Sequence, residues 1–220
     1  MSAKKIIAGI TLVIGLGLLI GGLFYKLSFN KSQDELLSLI QQNVNQSEIA
    51  IDIPDKVVKK ALTDYEKASK KDPEQFPPLT EEDMVFYKTN KAKSTGIIEI
   101  PSIKVKAGVI EGVSPRELAI SAGRYKTSAT PDMSEGNLVV AGHVSGPVPV
   151  FAKLNKVKVG DEIRYTYKGI TYEYIVTNKF IAQPTQVEIL DCPPGKKMLT
   201  VFTCANNGKQ RTVIQAEAVN

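Results

Sequence analysis

Hydrophobic patterning divides the chain into three regimes. Residues 6–25 are an unbroken apolar run between Lys4-Lys5 and Lys26, and a helix needs about 20 such residues to cross a bilayer. The run ends in Leu23-Phe24-Tyr25-Lys26 with no small-residue cleavage site behind it, so it predicts a retained transmembrane signal anchor over residues 1–26. Lysines flank both ends, which leaves the positive-inside rule little asymmetry to use. From 27 to 95 long apolar runs disappear, Lys, Asp, Glu and Gln dominate, and prolines stand at 54, 73, 77 and 78. Ser32-Gln-Asp-Glu35 has the form of a capping box opening a helix through Leu36, Leu37, Ile40 and Val44. Residues 55–70 carry Val57, Val58, Ala61, Leu62 and Tyr65 at helical spacing and predict a second helix. The whole stretch reads as a helical stalk.

From Gly96 the pattern turns to short alternating runs. Residues 96–110 give two strands broken at Pro101-Ser102, and Ser114-Pro-Arg-Glu117 starts a brief helix with proline at its first position. The run 137–141 leads into Gly142-His143, and the prolines between Gly146 and Val150 then permit only turns or a short helix. Residues 161–167 and 170–181 read as a hairpin around Lys168-Gly169. After a loop at 183–197 come the last two strands, Leu199-Thr-Val-Phe-Thr-Cys204 and the run from Arg211 to Val219. Many short strands with turn signals predict an all-β domain over 96–220, closed or nearly closed into a barrel. About 125 residues is enough to bury a core.

Composition adds exclusions. The net charge of +5 suits an anionic surface, but the chain lacks the aromatic-basic interleaving and zinc-knuckle spacing that mark nucleic-acid binding. One histidine and two distant cysteines do not make an ordinary zinc site, and there is no glycine-rich phosphate cradle. Neither a metal nor a cofactor is expected.

What remains is nucleophilic chemistry. Cys204 ends its strand beside Asn206-Asn207-Gly208, where a thiol can face solvent. A free thiol near pKa ~8.5 is mostly protonated at neutral pH, so a nucleophilic Cys204 needs a base or a cation beside it. His143, the single histidine, also ends an apolar run. Arg211 opens the strand after the Cys strand, so a simple hairpin brings its two-pronged guanidinium beside Cys204, facing a developing oxyanion. Strand alternation places Ala141 on the face of His143, and Thr200 and Phe202 on the face of Cys204. Blander readings stay open: an inert buried Cys204, a Cys192–Cys204 disulfide, a core histidine and a solvated edge arginine.

The order His143, then Thr200-Val-Phe-Thr-Cys204, then Arg211 resembles the sortase family, the cysteine transpeptidases of Gram-positive cell surfaces. The family's pattern is Thr-Leu-x-Thr-Cys, and Val201 stands here for Leu, one apolar strand residue for another. The resemblance covers roughly 96–220 plus an anchor of the expected kind, and implies an eight-stranded β-barrel behind a transmembrane helix. It implies Cys204 as nucleophile, His143 as acid toward the leaving amine and Arg211 as oxyanion partner, with Ala141, Val187, Ile189, Phe202 and Thr203 on the substrate. The implied substrates are surface proteins ending in a Leu-Pro-x-Thr-Gly-like (LPXTG-like) sorting signal, joined through a thioester to a cell-wall precursor amine. The implied location is a single-pass cell membrane protein, N-terminus cytoplasmic and catalytic domain extracellular.

Some members bind calcium in the loop before the His strand; here only Asp132, Glu135 and the more distant Glu188 are on offer, too few to predict calcium stimulation. Some pilin-building members fold a lid over the site, of which Asp72-Pro73 is a faint echo, so spacer and lid are both open for residues 27–95. An ending directly after the Arg strand and a short loop before the Cys strand fit the housekeeping, class A type. A pilin-polymerising member, a cysteine hydrolase of this architecture and a non-catalytic wall-binding domain are the alternatives.

Overall fold

The computed structural model describes residues 31–45 and 50–219. The expected membrane span, 1–26, lies outside them; among the described residues no helix is long and apolar enough to cross a membrane.

Eight strands close into a barrel, as expected from the many short runs. They are β2 (Lys91–Ile100), β3 (Val105–Glu111), β4 (Ala122–Arg124), β5 (Gly136–Ala141), β6 (Glu162–Tyr167), β7 (Ile170–Ala182), β8 (Lys197–Ala205) and β9 (Gln210–Ala218), after a short β1 (Ala50–Asp52) that lies outside the ring. Their order is β2-β3-β4-β5-β8-β9-β7-β6, and β6 pairs back onto β2 to close it, while β1 extends only the first residues of β2. Closure needs a close approach at Gly96. Its φ of +139° is outside the reach of most side chains, and a Cβ there would sit 2.4 Å from the Thr166 carbonyl oxygen. The β6–β7 hairpin turns on Lys168 and Gly169, both with positive φ, the backbone that a two-residue turn between twisted strands demands. Inside the ring, Ile98, Ile100, Val109, Leu138, Val140, Ile163, Tyr165, Tyr174, Leu199, Val201 and Ile214 form the core, and Phe151, Leu154 and Val157 from the loop after β5 join them.

The stretch expected as a stalk is different. Its described part carries a helix over 31–43, α2 (Asp55–Lys71) and α3 (Glu81–Thr89), all packed on the outside of the barrel. Leu36, Ile40, Val57, Val58, Ala61, Tyr65 and Phe76 bury against Ile97 and Ile110 of the barrel and against Ala119 and Ile120 after α4 (Pro115–Leu118). The physical reason is plain in retrospect. An amphipathic stripe must bury its apolar face on something, and the outward residues of β2 and β3 are apolar too. The barrel's first strand also starts at Lys91, five residues before the turn to β patterning at Gly96. Ser32 lies within the helix over 31–43.

Ile110 joins the two layers and is fully buried. Ile110→Ala is expected to cost about 2–5 kcal/mol, the range for a large-to-small change in a packed core, and to loosen the N-terminal helices along with the barrel. Denaturant unfolding followed by far-UV circular dichroism would show one cooperative transition displaced as a whole.

Candidate active site

Three adjacent strands place the three chemical side chains. β5 and β8 run parallel in register from Gly136 opposite Lys197 to Ala141 opposite Phe202. The pairing continues past the strand ends: Gly142 N–H donates to Phe202 O at 3.3 Å, and the Thr203 hydroxyl donates to Gly142 O at 2.7 Å. His143 follows Gly142 and Cys204 follows Thr203, so the two residues come next on neighbouring stretches of backbone. On the far side, β8 and β9 are antiparallel and Cys204 is the direct partner of Arg211, so the two side chains leave the same face. Leu199 and Val201 point into the barrel core; by alternation Phe202 and Cys204 point out. The strand registers thus bring His143, Cys204 and Arg211 side by side.

Each member has a defined state. Cys204 is half-buried and free. Arg211 donates through Nη1 to Gly208 O at 2.7 Å and Gln210 O at 2.9 Å, which fixes the fork and leaves its other donors without a protein partner among the described residues. His143 is only 9% exposed, and its Nε2 is buried with no partner. Burial alone lowers its pKa to about 4, because imidazolium is poorly solvated there. The resting imidazole is therefore neutral at pH 7. Part of that burial is Phe76, whose ring lies 5.3 Å from the imidazole centroid at a tilt of 59°. Phe76 packs edge-on against Tyr65, and Tyr65 in turn donates to Pro77 O at 2.9 Å. Gly146 makes the room: a Cβ there would meet the Phe76 ring at 2.6 Å.

A cavity of about 280 Å³ opens in front of this row. It is lined by Ala141, Gly142, His143, Phe202, Thr203, Cys204 and Arg211, and across from them by Tyr65, Gln75, Val113, Pro115 and Leu118. Ala141 and Phe202, expected on the substrate, lie in it. Thr203 lines it too, but its hydroxyl is spent on Gly142 O, which makes it the clamp of the β5–β8 register. Val187 and Ile189 lie elsewhere, on a helical turn over Val187–Leu190, and Val187 is 63% exposed. Asn137 holds that turn, with Nδ2 at 3.2 Å from the carbonyls of Ile189, Leu190 and Asp191.

The Cys192–Cys204 disulfide reading fails on distance. Cys192 contacts Lys196 O beside the start of β8, Cys204 is near its end, and the strand between them spans roughly 25 Å, far beyond disulfide reach. Burial raises the Cys192 thiol pKa further. In the loop before β5, Asp132 is paired with Lys168 at 2.8 Å and Glu135 accepts from Gly195 N–H at 2.7 Å. Among the described residues no group of three or more His, Cys, Asp or Glu could hold a metal ion.

Comparison with known proteins agrees with the geometry. Residues 98–219 match the family model of the sortase domain. The chain is 30% identical over 202 residues to Sortase A of Listeria monocytogenes, covering 91% of this chain and 84% of that one. It is 27% identical over 135 residues to Sortase A of Streptococcus agalactiae, an alignment spanning 59% of this chain and 55% of the relative. Among solved structures, a Sortase D5 transpeptidase of Clostridium perfringens superposes with a TM-score of 0.55 at 27% identity, covering 74% of this chain and 99% of that one.

The lone histidine makes its own test. In wild-type protein the imidazole carbon protons are expected to titrate near pH 4 by NMR; in Phe76→Ala the midpoint should move up toward the ordinary 6.5 as water returns. The stability linkage follows in sign. The unfolded chain takes up the His143 proton at the higher pKa, so this contribution is complete above about pH 6.5 and lost as pH falls toward 4.

Proposed function

Because this chain belongs to the sortase family of cysteine transpeptidases, we propose that it cleaves an LPXTG-like sorting signal between Thr and Gly and transfers the acyl half to an amine. Neutral His143 takes the thiol proton as Cys204 Sγ attacks the Thr carbonyl carbon. The tetrahedral oxyanion forms against the Arg211 fork, a preorganised donor whose removal costs on the order of 10²–10³ in rate at comparable sites. The C–N bond then breaks, and the imidazolium just formed gives its proton to the departing glycine amine. A thioester to Cys204 is left. An incoming amine attacks it, His143 takes the amine's proton, and the sulfur leaves and is reprotonated.

The observation that carries this reading is the row His143, Cys204, Arg211 on adjacent strand ends, opening on one cavity of about 280 Å³. A burial-lowered imidazole pKa suits the first step, since only the neutral ring can accept the thiol proton. In keeping with the family, the donors are surface proteins with C-terminal sorting signals and the acceptor is a cell-wall precursor amine. Residues 1–26 would hold the catalytic domain on the outer face of the cell membrane. The steps as written require no metal or cofactor.

A quenched Leu-Pro-x-Thr-Gly peptide, offered with and without triglycine, tests this directly. Wild-type protein is expected to release fluorescence and form the triglycine adduct. Cys204→Ala should abolish both, and Arg211→Lys should lower kcat/KM by roughly 100-fold or more. Retained turnover in Cys204→Ala would end the nucleophile assignment, and cleavage without any adduct would make the chain a hydrolase.

A further inference from the structure

The cavity before Cys204 has two walls of different origin. One is the row of strand ends; the other comes from the N-terminal layer and the α4 turn, and its polar member is Gln75. The backbone N–H of Gln75 donates to Asp72 Oδ1 at 3.1 Å, and Nε2 reaches Ser145 Oγ at 3.4 Å. A methyl group on Gly208 would sit 3.8 Å from its Cγ. The side chain therefore spans the cavity mouth from the loop after His143 to the turn between β8 and β9. Its Oε1 has no protein donor among the described residues. Phe76, only 4% exposed between Tyr65 and His143, fixes the backbone next to it.

With this segment seated, Cys204 and Arg211 still line an open cavity. Gln75 thus stands as a wall and does not plug the site. Which half of the substrate meets it follows from the proposed function, on which this step rests. Cys204 bonds the carbonyl carbon and Arg211 takes its oxygen, so the nitrogen that departs or arrives must lie toward His143, where Ser145 and Gln75 stand. We infer that Gln75 is a binding residue for the amine half of the reaction: Oε1 accepts a hydrogen bond from an N–H of a short peptide bearing a free terminal amine, and so favours aminolysis of the thioester over hydrolysis.

The test uses the full chain, the quenched sorting peptide and triglycine, with transfer and hydrolysis quantified separately. Gln75→Ala is expected to raise KM for triglycine about fivefold to tenfold, the scale of one hydrogen bond, and at sub-saturating triglycine to lower the ratio of transfer to hydrolysis by a similar factor. Gln75→Glu keeps an acceptor oxygen and should recover much of the lost transfer. The ratio of transfer to hydrolysis is independent of how much of a variant is folded, so it remains readable if one is unstable. An unchanged ratio in Gln75→Ala overturns the inference alone. A rise of both activities overturns it as well, since that is the signature of a removed plug. A wild-type chain that cleaves nothing sinks the function reading and takes this inference with it.

Discussion

The parallel pairing of β5 with β8 is the constraint on which the site depends. His143 stands just past the end of β5, and Cys204 just past the last residue of β8 that pairs with β5, so the β5–β8 ladder itself holds neither. What keeps them abreast is the Thr203 hydroxyl on Gly142 O, a buried bond at 2.7 Å. A one-residue slip in this register would turn His143 or Cys204 to the opposite face. The antiparallel partner on the other side, β9, needs no such clamp, because a tight turn through Asn206 and Asn207, both at positive φ, already sets Arg211 opposite Cys204.

The second layer acts on the same row from outside. Tyr65, Phe76 and Pro77 are tied to one another, and Phe76 takes water away from His143. The helices on either side of Phe76 and Pro77 are anchored well away from the row. Arg116 on α4 reaches Glu82 at 2.8 Å and stacks over Phe86 at 5.5 Å, and Gln33 donates to Ile120 O at 3.0 Å. These contacts are spread over α3, α4 and the first helix, so the electrostatic state of the imidazole is set by residues remote from it in sequence.

Much of this was legible in the residues. The hairpin at Lys168-Gly169, the break at Pro101-Ser102, the Pro115 helix start and the helix over residues 55–70 are local signals, each with a local cause. Cys204, His143 and Arg211 were legible because each sits where an apolar run stops or starts. What was not legible is long-range. The Val57, Val58, Ala61 and Tyr65 stripe announces a helix with an apolar face, but nothing in it says that the face meets Ile97 and Ile110. Gln75 and Phe76 sit in a proline-rich connector with no periodicity, about seventy residues before the histidine they approach. Asn137 carried a weak signal, a lone amide in an apolar run, whose meaning appeared only when it was found holding the turn at Val187–Leu190.

The parallel register also bears on how the reactive centre comes into being. β5 and β8 are joined by some sixty residues of intervening chain, and closing so long a loop precedes any reward from pairing. Before that docking the thiol has no imidazole at its side, so a partly folded chain carries a cysteine without its base. The catalytic pairing of thiol and imidazole thus comes only with this long-range contact, which ties activity to the folding of the barrel.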